Sequence, residues 1–276
     1  MEERYKKLSN GINIPLVGFG TYMLQNENDE ACNIVKQAIE AGYRHIDTAA
    51  FYNNEEGVGK GIRESNIPRE EIFVTTKVWI DDDGYENTLS AFDKSLSKLG
   101  LDYIDLYLVH WPTEKIKDTW RAIEDLYKQK KVRAIGVCNF NAKQLKTLIE
   151  FAEINPMVNQ IEIHPNRSEK DVIKICNRHN IAVEAWSPIM RGNLPNNKII
   201  EELAIKYNKT EAQLVLRWHL QNNVIAIPKT SKLYRMKENL DIFDFEIDEE
   251  DMEKIDSLNI NQRIKPQKYE NLYKVD

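Results

Sequence analysis

Four polar residues follow apolar runs of the sequence, at the points where predicted strands give way to loops. They are Asp47 after R-H-I, Lys77 ending I-F-V-T-T-K, His110 ending Y-I-D-L-Y-L-V-H, and Tyr52 in the loop beyond Asp47. A carboxylate, an ammonium, an imidazole and a phenol at neighbouring strand ends make a proton-donating site. A buried lysine ammonium favours the tyrosinate and so lowers the tyrosine pKa, while the carboxylate keeps the lysine charged and in place. The four residues therefore predict general acid catalysis, with Tyr52 as the acid.

The elements that must position these residues form a repeat of short apolar runs and amphipathic stretches. Eight apolar runs can be counted, from I-P-L-V-G-F at 14–19 to N-V-I-A-I-P at 223–228. Between them apolar residues recur at helical spacing, as at Ala31, Ile34 and Ala38. Strands that alternate with helices pair in parallel, and eight units favour a closed (β/α)8 barrel, an α/β fold. A doubly wound open sheet is the rival, but no phosphate-binding glycine turn follows the first run.

In such barrels the chemistry lies at the C-terminal ends of the strands, where Asp47, Lys77 and His110 are predicted to be. Asn10-Gly11, between short alternating runs, predicts an N-terminal hairpin outside the repeat. Residues 247–258 predict an extra helix with acidic residues in its first turn, followed by a polar, irregular tail from 259 to 276. The glycine-rich stretch at 55–62 lacks the spacing of a dinucleotide fingerprint, so it is interpreted as the second helix.

Composition limits the class of protein. The chain has 276 residues, 42% of them hydrophobic and 30% charged, which fits a single domain spanning 1–276. A formal net charge of −6 argues against a nucleic-acid partner. No apolar run approaches the ~18 residues of a membrane span, and no signal-like segment follows the charged start, so we expect a cytoplasmic protein without membrane attachment. Three widely spaced cysteines and no paired histidines argue against disulfides and against a metal site.

Six blocks with a distinctive sequence occur in order along the chain. They are G-Y-R-H-I-D-T-A-A-F-Y (42–52), T-T-K-V-W (75–79), L-V-H-W-P (108–112), G-V-C-N-F (136–140), N-Q-I-E-I-H-P (159–165) and I-P-K-T-S (227–231). These blocks resemble the aldo-keto reductase family, whose catalytic tetrad is Asp, Tyr, Lys and His. The chain is similar to bacterial-type members such as the diketogluconate reductases, and to prostaglandin F synthase-like members. The resemblance implies that Asp47, Tyr52, Lys77 and His110 are the tetrad.

A phosphate site is predicted in the eighth unit, from Pro228 to Asn239. Four basic residues lie within nine positions there, at the start of a helix in an otherwise acidic chain. A helix N-terminus and nearby cations attract the same anion. The segment resembles the family's loop for the adenosine 2′-phosphate of NADPH. The resemblance implies that the phosphate is held by Lys229, Thr230, Ser231 and Arg235, and the adenine by Glu238 and Asn239.

The nicotinamide is expected against the ends of the fifth, sixth and seventh runs. Asn139 and Gln160 are uncharged amides suited to a carboxamide, and Trp186 offers a flat face for stacking. Cys138 stands where the family usually has serine, and a thiol is the weaker hydrogen-bond partner. The resemblance adds further cofactor contacts, from Asp47, Ser187, Gly20, Thr21 and Tyr22. It also implies a substrate site formed by His110 and by an aromatic wall of Tyr22, Phe51, Trp79 and Trp111.

Together these features predict an NADPH-dependent reductase of aldehydes and ketones that uses no metal. Tyr52 protonates the carbonyl oxygen, Lys77 and Asp47 tune it, and His110 orients the substrate. A short loop after His110 predicts an open, permissive site for small aldehydes, dicarbonyls or sugar-derived ketones. Two alternatives stay open: a Schiff-base aldolase that uses a strand-end lysine, and a cofactor-binding regulatory subunit with slow turnover. The expected assembly is a monomer or a weak homo-oligomer.

Overall fold

Parallel strands form a barrel in the computed structural model of the chain, which describes residues 4–25, 29–192, 194 and 197–264. Each barrel strand, from β3 to β10, pairs with the next one along the chain. The ring closes where Gly18 N donates to Ala226 O at 2.9 Å. The predicted eight-stranded barrel is therefore confirmed and the open sheet is excluded. The strands are β1 (Tyr5–Lys7), β2 (Asn13–Pro15), β3 (Phe19–Gly20), β4 (His45–Asp47), β5 (Phe73–Val78), β6 (Ile104–Val109), β7 (Val132–Cys138), β8 (Val158–Glu162), β9 (Ala182–Trp186) and β10 (Val224–Ile227).

Helices surround the barrel and follow the predicted repeat, with one addition. Both α7 and α8 lie between β9 and β10, so this connection has one helix more than the repeat predicts. The extra helix predicted from 247–258 is α10, whereas residues 265–276 of the predicted tail lie outside the described part of the chain. The helices are α1 (Glu30–Glu40), α2 (Glu55–Glu64), α3 (Tyr85–Leu99), α4 (Ile116–Lys128), α5 (Ala142–Phe151), α6 (Lys170–Arg178), α7 (Lys198–Lys206), α8 (Glu211–Gln221), α9 (Leu233–Leu240) and α10 (Glu249–Asp256).

The N-terminal hairpin of β1 and β2 covers the N-terminal end of the barrel. Its turn contains Gly11 with φ of 89°, a backbone conformation that suits glycine. Lys6 Nζ donates to Asn223 O at 2.8 Å, and Asn10 Nδ2 donates to Arg133 O at 2.9 Å. Since these acceptors lie where β10 and β7 begin, the hairpin lies at the end opposite to the predicted site. The hairpin prediction is confirmed.

The glycine-rich stretch at 55–62 forms most of α2, as predicted. A Cβ at Gly59 would overlap the Leu99 carbonyl, and a Cβ at Gly61 would lie 2.6 Å from Cys32 O. These glycines therefore allow α2 to pack closely against its neighbours, and the segment is not a nucleotide loop. No helix in the described part of the chain combines the length and the apolar character needed to span a bilayer.

Candidate active site

The tetrad predicted from sequence comes together at one end of the barrel. Asp47 ends β4, Lys77 lies near the end of β5, and His110 follows β6 directly. Lys77 Nζ donates to both carboxylate oxygens of Asp47, at 2.7 and 2.8 Å, and to Thr48 O at 2.9 Å. An ammonium group has three N–H donors, so all three are used within the protein. The Lys77 side chain is completely buried, which makes it a fixed internal charge.

The pKa values of Lys77 and Tyr52 follow from burial and from their mutual contact. Burial is the largest single influence and would lower the pKa of Lys77, but the Asp47 carboxylate, followed by Tyr52 and Cys138, together outweigh it, and the pKa lies above its usual value. The Lys77 ammonium lies 5.1 Å from the centroid of the Tyr52 ring. Burial raises the pKa of Tyr52, and the charge of Lys77 opposes that rise. Lysine therefore acts in the predicted direction, but burial dominates, and the net shift of the Tyr52 pKa is upward.

His110 lies beside Tyr52, with ring centroids 5.8 Å apart at an angle of 78°. Burial, and secondarily the charge of Lys77, hold the pKa of His110 well below its usual range. The imidazole is therefore neutral at physiological pH and able to donate one hydrogen bond. Trp79 packs edge-on against it at 5.0 Å between centroids, and Phe51 stacks on Trp79 at 3.9 Å.

A cavity of about 1360 Å³ opens at this end of the barrel. Lys77 and Thr21 are the two predicted site residues that do not line it. Lys77 lies behind Asp47 and Tyr52, and Thr21 is buried with its hydroxyl donating to Asp47 O at 2.9 Å. The predicted residues that line it are Gly20, Tyr22, Asp47, Phe51, Tyr52, Trp79, His110, Trp111, Asn139, Gln160, Trp186, Ser187, Lys229, Thr230, Ser231, Arg235, Glu238 and Asn239.

The residues predicted to bind the carboxamide are held in place by hydrogen bonds to other residues of the site. Asn139 adopts a left-handed backbone with φ of 66°, and its Nδ2 donates to His110 O at 3.0 Å. Trp186 Nε1 donates to Asn139 Oδ1 at 2.9 Å, which fixes the plane of the indole. Gln160 Nε2 donates to Asp47 Oδ2 at 2.8 Å across the barrel interior. The amides and the tetrad therefore form one connected set.

Cys138 lines the cavity between these amides. Asn139 Nδ2 lies 3.1 Å from its sulfur, and the thiol faces Gln160 Oε1 at 3.6 Å. The thiol is almost completely buried, and burial raises its pKa above the usual value. Since the thiolate is the reactive form, Cys138 is a packing and hydrogen-bonding residue with low nucleophilicity.

The basic segment lies at the other end of the same cavity. Lys229, Ser231 and Arg235 are exposed at its rim, and Thr230 Oγ1 accepts from Lys232 N at 3.1 Å where α9 begins. Glu238 accepts from Thr210 Oγ1 at 3.0 Å. Cations around a helix N-terminus on an acidic protein are a donor set for a phosphate group, and the residues present fit one.

Gly20, which lines the cavity, packs closely against the chain at the end of β10. A Cβ there would lie 3.3 Å from Ile227 O and 3.6 Å from Lys229 Cβ, so a larger residue would crowd the β10 loop. Residues of the tetrad and of the basic segment line this same cavity. Among the described residues no group of three or more His, Cys, Asp and Glu side chains is arranged to hold a metal ion.

The chain is similar to known proteins over nearly its whole length. A sequence profile of the Aldo/keto reductase family matches residues 16–260. The chain belongs to the aldo/keto reductase family. The glyoxal reductase of Bacillus subtilis (strain 168) is 54% identical over 268 residues, 97% of each chain.

Solved structures of the family agree with this fold. An aldo-keto reductase from a Medee basin deep-sea metagenome aligns with a TM-score of 0.92 at 46% identity, over 98% of this chain and 99% of its own. The Bombyx mori aldo-keto reductase, solved in complex with NADP, aligns with a TM-score of 0.90 at 36% identity, over 96% of each chain. The family predicted from the sequence blocks is confirmed.

Several cavity residues of this aldo/keto reductase were missed by the sequence analysis. Arg191, in the loop after β9, places its guanidinium 5.5 Å from the centroid of the Tyr22 ring, across the cavity mouth. Glu201 and Ile205 of α7 also line the cavity. In the sequence, Arg191 lies in the segment M-R-G after W-S-P-I, which looks like many surface loops. The tertiary structure was therefore needed to identify these residues as part of the cavity.

Proposed function

We propose that the protein is a single-domain, NADPH-dependent reductase that converts aldehydes and ketones to alcohols. The decisive observation is the Lys77 ammonium, with all three of its N–H groups bound to Asp47 and Thr48 beneath Tyr52. A fixed, buried positive charge next to a phenol stabilises the developing tyrosinate when the proton leaves. The family's solved complexes support the cofactor, since the Bombyx mori member is solved with NADP.

The tetrad divides the work of moving one proton. Tyr52 donates its phenolic proton to the carbonyl oxygen, and Lys77 stabilises the phenolate that remains. Asp47 keeps Lys77 charged and in place. Neutral His110 orients and polarises the carbonyl oxygen by donating a hydrogen bond, while Trp79 and Phe51 pack beside it.

The cofactor is assigned to the rest of the cavity. When bound, NADPH supplies the hydride that the carbonyl carbon accepts. Asn139 and Gln160 are assigned to its carboxamide, Trp186 to the face of its nicotinamide, and Asp47, Gly20, Thr21, Tyr22 and Ser187 to the cradle around it. The basic residues Lys229 and Arg235, with the hydroxyls of Thr230 and Ser231, are assigned to the 2′-phosphate, and Glu238 and Asn239 to the adenine.

A small dicarbonyl is the proposed substrate class. The Bacillus subtilis relative is named a glyoxal reductase. The substrate end of the cavity is an aromatic wall of Tyr22, Phe51, Trp79 and Trp111, and Phe51 and Tyr22 are about two-fifths exposed at its mouth. Such a wall accepts small, flat carbonyls without demanding one shape. We further propose a cytoplasmic monomer or weak homo-oligomer without a nucleic-acid partner.

A Schiff-base aldolase is disfavoured by the state of Lys77. A lysine nucleophile must be neutral and must reach the substrate. Lys77 is instead held charged by Asp47, its pKa lies above the usual value, and the side chain is fully buried. The contacts of Lys77 instead support its assignment as the buried charge that stabilises the Tyr52 phenolate.

The test is the Tyr52→Phe protein with NADPH and glyoxal. Phenylalanine keeps the ring packing but removes the acid, so turnover should fall by at least ~10²–10⁴-fold, the usual worth of general acid catalysis. NADPH affinity, from fluorescence titration, should hardly change. Tyr22→Phe is a matched control because Tyr22 packs against Tyr52 at 5.0 Å, and it should reduce turnover far less.

Two outcomes would contradict the proposal. If Tyr52→Phe keeps more than a tenth of wild-type turnover, with chemistry limiting in both proteins, Tyr52 is not the acid. The wild type could also bind NADPH and yet fail to oxidise it with any aldehyde or ketone of a test panel. That result would favour the alternative of a cofactor-binding regulatory subunit.

A further inference from the structure

Glu184 is a buried acid that the proposed mechanism does not use. It lies in β9, and its side chain is completely buried inside the barrel. Its Oε2 accepts from Gln160 Nε2 at 2.8 Å, and the same Gln160 nitrogen donates to Asp47 Oδ2 at 2.8 Å. A side-chain amide has two N–H hydrogens, so these two carboxyl groups use both. Glu184 thus contacts the tetrad through a single shared amide.

This arrangement determines which way the Gln160 amide faces. One amide atom lies 2.8 Å from both carboxyl groups, and the ionised Asp47 can only accept a hydrogen bond, so that atom must be the nitrogen. The carbonyl oxygen Oε1 then faces away, with the Cys138 thiol at 3.6 Å as its neighbour. A carbonyl oxygen has two lone pairs, and a thiol is a weak donor. Oε1 therefore keeps the capacity to accept an N–H group.

We propose that Glu184 is a positioning residue: by accepting one N–H of Gln160 it holds Gln160 Oε1 in place for the carboxamide N–H of the nicotinamide. This inference rests on the proposed function. It assigns Glu184 the task of keeping the nicotinamide in one orientation above Tyr52. Asp47 alone leaves the second N–H of Gln160 unpaired, and such an amide is free to tilt away from the cavity.

The surroundings of Glu184 keep this role intact over a wide pH range. Burial, and then the charge of Asp47, raise the pKa of Glu184 to about 8, so the group carries a proton at neutral pH. Its Oε1 faces His45 Nε2 at 3.6 Å, and burial lowers the pKa of His45 to about 3. A proton on Oε1 leaves Oε2 free to accept from Gln160. The Gln160 amide is therefore held in either protonation state of Glu184.

The variant that tests this role is Glu184→Met, which has similar length and no oxygen. Loss of one neutral hydrogen bond corresponds to roughly 2- to 10-fold in affinity. We expect the dissociation constant of NADPH to rise by that factor, and that of the adenosine bisphosphate half of the cofactor, which lacks nicotinamide, to stay unchanged. With NADPH deuterated at one face of the nicotinamide, the product should show weaker selection of that face than with wild type.

Two further variants separate positioning from general packing. Glu184→Gln keeps an acceptor oxygen at the same reach. It should therefore restore the ratio of the affinities for NADPH and for its adenosine half, and also the selection of one nicotinamide face. Glu55→Met is the matched control, because Glu55 is also buried and accepts from Thr76 Oγ1 at 2.7 Å without contact to Gln160. It should lower stability but leave the affinity ratio unchanged. Should Glu184→Met fail to fold, Glu184→Asp, one methylene too short to reach Gln160, takes its place.

The result that overturns the inference is a Glu184→Met or Glu184→Asp protein with wild-type face selection and an unchanged affinity ratio between NADPH and its adenosine half. Equal loss of affinity for both ligands overturns it as well, because that outcome assigns Glu184 to the fold alone. Failure of the proposed function looks different. In that case the wild type itself does not bind NADPH or does not reduce any carbonyl.

Discussion

Replacing Lys77 with methionine should lower both the stability and the activity of the protein. In the wild type, Lys77 donates two hydrogen bonds to Asp47 and one to Thr48, in a completely buried site. Methionine has similar length, so the site stays filled. Among the described residues, the carboxylate of Asp47 then keeps Gln160 as its one side-chain donor. The variant therefore isolates the loss of one buried positive charge.

The expected cost follows from the charge that remains. Removing one partner of a buried ion pair typically destabilises a protein by about 3–5 kcal/mol, because the other charge is left unpaired. For a domain of this size each kcal/mol corresponds to roughly 2–4 °C, so the melting temperature should fall by roughly 6 to 20 °C. Adding Asp47→Asn removes the unpaired charge, and the double variant should be more stable than Lys77→Met alone.

Thermal and urea unfolding of the three proteins test this energetic argument. A Lys77→Met protein within about 1 kcal/mol of wild type, or a double variant that is no better than the single one, would refute it. The kinetic consequence is separate. Lys77 opposes the effect of burial on the pKa of Tyr52. Its loss should therefore raise that pKa further and move the basic limb of the pH–rate profile to higher pH. A near-normal rate with an unchanged profile would remove Lys77 from the mechanism.

Three other changes have defined outcomes. Arg235→Ala should weaken NADPH binding roughly tenfold and NADH binding hardly at all, because Arg235 is exposed at the basic segment and is proposed to bind the 2′-phosphate that only NADPH carries. Fluorescence titration with both cofactors decides it, and equal losses would mean that Arg235 only shapes the loop. Cys138→Ser should be tolerated and tighten nicotinamide binding by at most ~1 kcal/mol, whereas rapid inactivating alkylation of the wild-type thiol would contradict the raised pKa of that buried group. Glu184→Gln should make the protein more stable than wild type above pH 8 but not near pH 4.5, as measured by urea unfolding. The sign follows because the folded protein keeps the Glu184 proton up to about pH 8, while the unfolded chain loses it near 4.5, so wild-type stability falls as pH rises between those values. Parallel pH dependence of the two proteins would refute the buried-acid assignment.

The sequence alone was sufficient for the barrel and for bringing the candidate catalytic residues to one end of it. A parallel barrel puts all strand C-termini at one end, so Asp47, Lys77 and His110 could be brought together by counting strands, without knowing any distance. The hairpin and the glycines of α2 were equally local, since Asn10-Gly11 specifies a turn and Gly59 a close helix contact. Each of these features depends on residues near in sequence or on the repeat itself.

What only the tertiary structure decided depends on burial and on contacts between distant strands. Gln160 donates to Asp47, which lies 113 positions away in sequence, and the same amide nitrogen donates to Glu184. No local sequence pattern encodes these contacts. The net pKa of Tyr52 required both its burial and its distance from Lys77, and burial reversed the sign that charge alone predicts. That α7 and Arg191 line the cavity was likewise shown only by the tertiary structure. Desolvation and cross-barrel hydrogen bonds are properties of packed side chains, and the order of residues along a chain does not contain them.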